Sequence, residues 1–274
     1  MKLKDLYPSD RIIESSSGIM FTVAGQNPYG DGILLITDKV IAQGAMDAPE
    51  PESETDSFTI CGNSDYSLSN LDQWLNSDEK SWYSKTHEYD TPPSEEYLSL
   101  RPNLYEPIGC NPYYEKQGFL CRFSDEFKSL ICESAIPCAK PDNSGLYYIN
   151  AKVFIPSAAE LGLDTKTVSE GKRLELFEDF RMRYSSPSEE CLMEGNWQPA
   201  YFKSSRMFWY WLRTPNPTSK GFFAYSHFVN PFAYKFACCP QMGIRPMLSI
   251  SGRAEVSLTE SAWGIYRFES GVCR

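Results

Sequence analysis

Cysteine and histidine are the residue types most able to carry out chemistry near neutral pH, and this chain has nine of the first and two of the second. The cysteines are irregularly spaced and form no Cys-x-x-Cys pair, which disfavours a disulfide framework or a zinc ribbon and favours reduced, buried thiols. His87 and His227 offer no Ser/His/Asp or Cys/His arrangement, and no glycine-rich phosphate loop occurs. We therefore expect a binding protein in preference to an enzyme, and no cofactor.

Calcium-dependent binding of a sugar is also disfavoured. Calcium sites need a concentrated set of carboxylate and carbonyl oxygens, and the chain contains neither a Glu-Pro-Asn nor a Gln-Pro-Asp triplet. The acidic residues that do cluster, between Glu50 and Asp56, are typical of a solvated loop. We expect no metal site and calcium-independent binding.

Two arginines lie in apolar, strand-like segments that are interrupted by proline, at residues 209–215 and 243–250. Arg213 and Arg245 could each contact a ligand, or each could form an internal salt bridge or bonds to carbonyl groups. The internal role is favoured, because a buried arginine must be paired. Four residues are interpreted as the rigid frame that holds the loops between these segments: Trp211, Arg213, Gly243 and Arg245.

The segment between the two arginines, residues 217–242, is rich in aromatic residues and almost uncharged. Tyrosine and phenylalanine are enriched in protein-binding patches, and strand alternation would turn every second residue outward. The alternative is that the segment forms the core of the last sheet. The candidate ligand-binding residues are Phe222, Phe223, Tyr225, His227, Phe228, Asn230, Phe232, Tyr234 and Phe236.

Charge and hydropathy restrict the partners and the location of the protein. The net charge of −10 argues against a nucleic-acid partner, since phosphate binding depends on clustered lysine and arginine. No signal peptide is recognisable, and no apolar run approaches the ~20 residues that would span a bilayer. We expect no membrane insertion and a protein that is cytoplasmic as synthesised.

Strands at both ends of the chain are expected to form the scaffold for these residues. Residues 18–24 and 33–37 favour β-structure and predict a hairpin. Residues 263–268 predict a terminal strand that pairs near this hairpin.

Helices are predicted at four places. Ser69 caps the first and Ser124 the second, each followed by apolar residues at helical spacing. Ser157 is expected to start a short third helix, and residues 170–184 a fourth or a surface insertion.

The mixture of strands and helices lacks regular β-α-β alternation, which favours an α+β fold. Residues 1–274 are interpreted as one domain, with insertions at about 48–64 and 79–114 and a C-terminal extension at 252–274.

Five motifs in order resemble a bacterial and phage family of domains of unknown function, over residues 18–251. They lie at residues 69–77, 118–124, 152–160, 211–215 and 243–246. That family is similar to the C-type-lectin-like fold, in the branch of formylglycine-generating enzymes and of the variable proteins of diversity-generating retroelements. The resemblance implies two main helices packed on twisted antiparallel sheets, with residues 217–242 as a hypervariable ligand-facing surface.

The function that the resemblance implies is non-catalytic recognition of a protein or glycan ligand, for instance as a receptor-binding protein that contacts a host cell. A first alternative is a structural or assembly protein of a phage particle, which would form a homo-oligomer through the same aromatic patch. A second alternative is a cysteine-dependent oxidase of the formylglycine-generating kind, with Cys238 and Cys239 as thiolate ligands of copper.

Overall fold

The structure, a computed structural model, describes residues 1–48, 61–80, 116–194, 208–226, 232–239, 241–259 and 264–269. In chain order the strands are β1 (Arg11–Ile13), β2 (Met20–Gln26), β3 (Ile33–Thr37), β4 (Ala42–Gln43), β5 (Ile131–Cys132), β6 (Ser134–Ala139), β7 (Leu146–Ala151), β8 (Val153–Phe154), β9 (Tyr210–Pro215), β10 (Phe222–Ser226), β11 (Phe232–Phe236), β12 (Gly243–Ile244), β13 (Met247–Ile250), β14 (Val256–Leu258) and β15 (Ile265–Phe268). The α-helices are α1 (Asn70–Asn76), α2 (Asp125–Leu130) and α3 (Glu189–Glu194). Short 3-10 helices occupy Leu3–Asp5, Tyr66–Leu68, Phe119–Arg122, Glu175–Glu178 and Phe180–Arg183.

The predicted α+β fold of C-type-lectin-like type, with two main helices on sheets, is wrong. The described part of the chain is mostly β, with 33% strand in curled sheets, and one α-helix alone reaches seven residues. The predicted helices at Ser69 and Ser124 do form, because each serine hydroxyl accepts a backbone N–H in the first turn. The third is wrong, because residues 158–162 form turns. At residues 170–184 the α-helix alternative is wrong too, because only 3-10 helices form there.

α2 stays short because the chain after it pairs with a sheet. α2 ends at Leu130, and the next two residues form β5, which pairs with β13. Helical spacing over one or two turns therefore predicts where a helix starts, whereas tertiary pairing decides where this one ends.

The larger sheet has eight strands in the order β14-β15-β1-β2-β3-β13-β5, with β8 also paired to β13. The predicted hairpin is confirmed, because β2 and β3 are antiparallel neighbours. The predicted terminal strand is confirmed too: β15 pairs with β1, the strand beside this hairpin. The predicted C-terminal extension thus supplies two strands to the main sheet.

The second sheet has five strands in the order β11-β10-β9-β12-β4. β9 carries Arg213, and β12 ends one residue before Arg245. β12 meets β9 in parallel at Gly243 and Tyr210. A side chain at Gly243 would place its Cβ 2.5 Å from the carbonyl oxygen of Trp209, so the close approach of the two strands requires glycine.

The remaining described elements cover these sheets. β6 and β7 form a two-stranded antiparallel sheet, and a continuous hydrophobic core joins both larger sheets to α1 and α2. Most of the two predicted insertions lies outside the described residues. In the part of the chain that the structure describes, no helix is long and apolar enough to span a bilayer.

Candidate ligand-binding site

The hairpin of β10 and β11 gathers four aromatic side chains on one face. Its register sets Phe222 opposite Phe236 and Ala224 opposite Tyr234. Because side chains alternate along a strand, Phe232 shares this face. We call Phe222, Phe232, Tyr234 and Phe236 the aromatic face.

The rings of the aromatic face form two contacts. The centroids of Phe222 and Phe236 are 4.5 Å apart, and those of Phe232 and Tyr234 are 5.6 Å apart in an edge-to-face arrangement. All four residues are half-buried, and Phe232 and Tyr234 also pack against the hydrophobic core. The face is therefore anchored to the fold and keeps part of its aromatic area in solvent.

The other predicted ligand-binding residues are placed differently. Phe223 and Tyr225 point to the opposite side of β10 and are buried, with 0% and 8% of their surface exposed. Tyr225 packs on Trp209, with ring centroids 5.6 Å apart. These two residues support the hairpin from within the core. His227, Phe228 and Asn230 lie outside the described residues.

A polar pocket of about 420 Å³ lies beside the aromatic face. Its volume is within the usual range of ligand sites. The hydroxyl of Tyr234 donates to the backbone carbonyl of Thr165 at 3.3 Å, which joins the face to the pocket. Burial, aided by the charge of Glu170, raises the pKa of Tyr234, so this phenol stays a donor. The polar side chains that line the pocket belong to Asp164, Thr165, Thr167, Ser169, Glu170, Lys172 and Arg173.

Glu170 forms the inner wall of the pocket and is 1% exposed. Its carboxylate accepts the N–H of Ala139 at 2.9 Å and the hydroxyl of Thr214. Its backbone carbonyl accepts the hydroxyl of Ser157 at 3.0 Å. Burial raises the pKa of Glu170, although the charge of Arg213 opposes this shift. These contacts fix the wall to β6 and β9.

Arg213 holds the pocket loop through a buried ion pair with Glu160, and both side chains are 0% exposed. Its Nη1 and Nη2 donate to the two carboxylate oxygens of Glu160 at 2.8 and 2.6 Å. The remaining N–H groups donate to backbone carbonyls of Pro137, Ile155 and Glu170, at 3.1, 2.8 and 3.2 Å. The guanidinium is thus fully paired, as a buried arginine must be.

The other frame residues are also fixed by internal contacts. Arg245 donates to the carbonyls of Thr37 and Met182, both at 2.9 Å, and lies 5.5 Å from the ring centroid of Tyr210. Trp211 is fully buried, and its indole N–H donates to the carbonyl of Gly44 at 2.8 Å. The strands on either side of the hairpin are therefore tied to the rest of the fold.

Sequence reasoning did not name the polar pocket. The sequence did mark Glu160 as a structural residue, because Ser157 and Glu160 match a capping box. The N–H of Ser157 donates to the Glu160 carboxylate at 2.8 Å, and the N–H of Glu160 donates to the Ser157 hydroxyl at 3.1 Å. No helix follows, and the glutamate serves Arg213 instead. Glu170, Thr165 and Tyr234 are brought together by tertiary structure, for which no local pattern exists.

Comparison with known proteins gives a family. A family model described as a domain of unknown function (DUF6273) matches residues 31–252. The chain belongs to the DUF6273 family. The predicted membership of a family of domains of unknown function is confirmed, and the matched region of this DUF6273 protein includes the aromatic face, the polar pocket and the frame. No curated protein and no solved structure matches the chain.

The adjacent cysteines of this DUF6273 domain are packed thiols. Cys238 and Cys239 are each 2% exposed, and the N–H of Cys238 donates to the carbonyl of Cys61 at 2.8 Å. Burial raises the pKa of Cys238 to about 12 and also raises that of Cys239. Both thiols are therefore protonated near neutral pH, which lowers their reactivity. Among the described residues, no three His, Cys, Asp or Glu side chains are grouped as a metal site.

Proposed function

We propose that this DUF6273 domain is a non-catalytic recognition module that binds a glycan across the aromatic face and the polar pocket. The observation that supports this best is the hydrogen bond from Tyr234 to Thr165, which joins half-exposed rings to a cleft of hydroxyl and charged groups. A sugar ring offers an apolar face of C–H groups to aromatic rings and hydroxyl groups to polar side chains. Ligand sites of this kind combine apolar area with a few placed polar groups.

The rim of the pocket favours an acidic sugar. Lys172 and Arg173 are exposed there, against the single exposed carboxylate of Asp164 among the lining residues. An arginine can bind a sugar carboxylate through two parallel hydrogen bonds. The expected ligand is thus a glycan with a uronic or sialic type of acid group, in preference to a neutral one.

The test is a glycan array probed with the purified protein. Changing both Phe222 and Phe236 to Ser should abolish binding, and Arg173→Gln should weaken acidic glycans more than neutral ones. Phe180→Ser is the matched control, because Phe180 is an aromatic residue 58% exposed outside this site. Equal binding by all variants would refute the proposal. Binding to cell-surface extracts that survives removal of their glycans would assign a protein ligand instead.

A further part of the proposal concerns variability and origin. Residues 217–242 lie between β9 and β12, which are held by the contacts of Arg213 and Arg245, so the fold can tolerate change at the half-exposed positions in between, though not at buried ones such as Phe223. We propose that this segment is hypervariable and faces a receptor on a host cell, as part of a phage-encoded protein. A neighbouring reverse-transcriptase gene with a near-copy of codons 217–246 would support diversification, and related genomes with an invariant segment would oppose it.

Self-association is the second candidate, and one observation favours it. β11 is the last strand in the order of the five-stranded sheet, so its outer side can pair with another chain. Assembly into a phage particle could use this edge together with the aromatic face. Analytical ultracentrifugation tests this. A mass that rises with protein concentration for the wild-type protein, but stays at the monomer value for Ala233→Pro, would favour assembly over monomeric recognition.

A further inference from the structure

A second cavity, of about 710 Å³, lies on the larger sheet and is distinct from the site described above. Its walls come from the turn at residues 14–16, from α2, from residues 254–255 and from the end of β15. Apolar side chains form its floor, where the rings of Phe127 and Phe268 meet edge to face with centroids 5.1 Å apart. We call this cavity the acidic groove.

Four glutamates line the acidic groove, against one cation, Arg267. The four are Glu14, Glu126, Glu255 and Glu269. An excess of one charge around an apolar floor complements a ligand that has an apolar part and the opposite charge.

The ionisation of two of these glutamates is set by contacts in the structure. Burial opposes the charge of Glu14, but hydrogen bonds from Ser17 and Ser16 outweigh it and hold the pKa of Glu14 below its usual range. Glu255 pairs with Lys2 at 2.7 Å, and this pairing lowers the pKa of Glu255. Glu126 and Glu269 are exposed at the rim, where they can meet an incoming cation.

We propose that the acidic groove binds a basic peptide segment of a partner protein. A leucine-like side chain would pack on Phe127 and Phe268, and an arginine or lysine beside it would reach Glu126 and Glu269. Nucleic acid and anionic lipid do not fit, because their phosphates would meet the same carboxylates. The groove is independent of the proposed glycan site, because the two cavities share no lining residue. Its walls at 14–16, 254–255 and 267–269 also lie outside the region that the family model matches.

The test uses fluorescence anisotropy with a labelled peptide that alternates arginine and leucine. Two further probes replace every arginine by glutamate, or every leucine by serine. We expect the first probe to bind, the glutamate probe not to bind, and the serine probe to bind more weakly by about tenfold, because the apolar floor is then unused.

The decisive comparison is between two double variants of equal charge. Changing Glu126 and Glu269 to Gln should weaken the arginine probe about tenfold, whereas changing Glu178 and Glu189 to Gln should change binding by less than about twofold. Glu178 and Glu189 are also exposed but do not line the groove.

A third variant, Arg267→Gln, removes the cation from the groove lining and should tighten binding. Absence of binding to the wild-type protein, or equal loss in both double variants, would overturn the proposal. Equal binding of the serine and leucine probes would also overturn the proposal, because long-range attraction to an acidic protein would then explain the binding without the apolar floor.

Discussion

Removal of the Arg213 side chain should reveal how strongly the frame depends on its buried ion pair. In Arg213→Met the apolar stem is retained, but Glu160 is left as an unpaired carboxylate with 0% of its surface exposed. Breaking one partner of a buried pair costs about 3–5 kcal/mol. Domains of this kind are stable by about 5–15 kcal/mol, so the variant should lose a large share of its free energy of unfolding.

The double variant Arg213→Met/Glu160→Leu separates the lone charge from the lost hydrogen bonds. It removes both charges, so it should be more stable than Arg213→Met alone. Both variants still leave the carbonyls of Pro137 and Ile155 without their donor, which costs about 1–3 kcal/mol for each carbonyl. The two single changes should therefore be non-additive by at least ~2 kcal/mol.

Urea unfolding followed by tryptophan fluorescence measures these differences without adding salt that would screen charges. Arg181→Met serves as the control, because Arg181 is 76% exposed and pairs with Asp179 at the surface at 2.7 Å. It should leave the urea midpoint almost unchanged. Additive effects of Arg213→Met and Glu160→Leu, or a midpoint for Arg213→Met equal to that of the control, would show that the buried ion pair does not hold the frame.

Three further outcomes are expected. Burial raises the pKa of Asp72 from 3.8 to about 7. The folded state therefore binds this proton more tightly than the unfolded state, and the stability of the fold falls as the pH rises from about 4 to about 7. Asp72→Asn should therefore stabilise the protein at pH 8, by about 1–2 kcal/mol because the partly exposed side chain reduces the full effect of the shift, and should have little effect at pH 4. A loss of stability at pH 8 would contradict this shift. Gly243→Ala should lower the free energy of unfolding by at least ~2 kcal/mol, because the new methyl group would meet the Trp209 carbonyl, and an unchanged melting temperature would show that β9 and β12 can separate. Cys238 should react with a thiol reagent near neutral pH only as fast as the protein opens, with full reaction in urea, and fast reaction of the native protein would mean that its pKa is not raised.

Local signals in the sequence predicted the parts of the fold that local chemistry decides. Ser69 and Ser124 each satisfy a free backbone N–H at a helix start, and this contact depends on neighbours three residues away. The hairpin of residues 18–24 and 33–37 follows from two β-favouring runs close in the chain. What failed were the predicted α-helices at Ser157 and at residues 170–184, where turns and 3-10 helices form instead. At the first of these, Glu160 pairs with Arg213, which is far away in the sequence.

The candidate site shows the same division. Alternation along β10 correctly separates the side chains into two sets, but it does not say that both sides of the strand are covered near Ala224, which is 0% exposed. Because the middle of β10 is covered, the aromatic face keeps exposed area only at Phe222 and along the edge strand β11. The polar pocket could not be predicted, since Glu160 and Arg213 are 53 positions apart and meet only in the folded chain.

The buried pair of Arg213 and Glu160 is better understood as a positioning device than as a source of net stability. Removing two charges from water costs free energy that their attraction barely returns, and apolar replacements of similar volume are often as stable. An apolar pair would, however, leave the loop free to shift along β9, because dispersion contacts have no fixed direction. Five directed hydrogen bonds from one guanidinium allow a single placement of the Glu160 carboxylate and the Glu170 carbonyl. The pocket beside the aromatic face thus keeps a fixed shape.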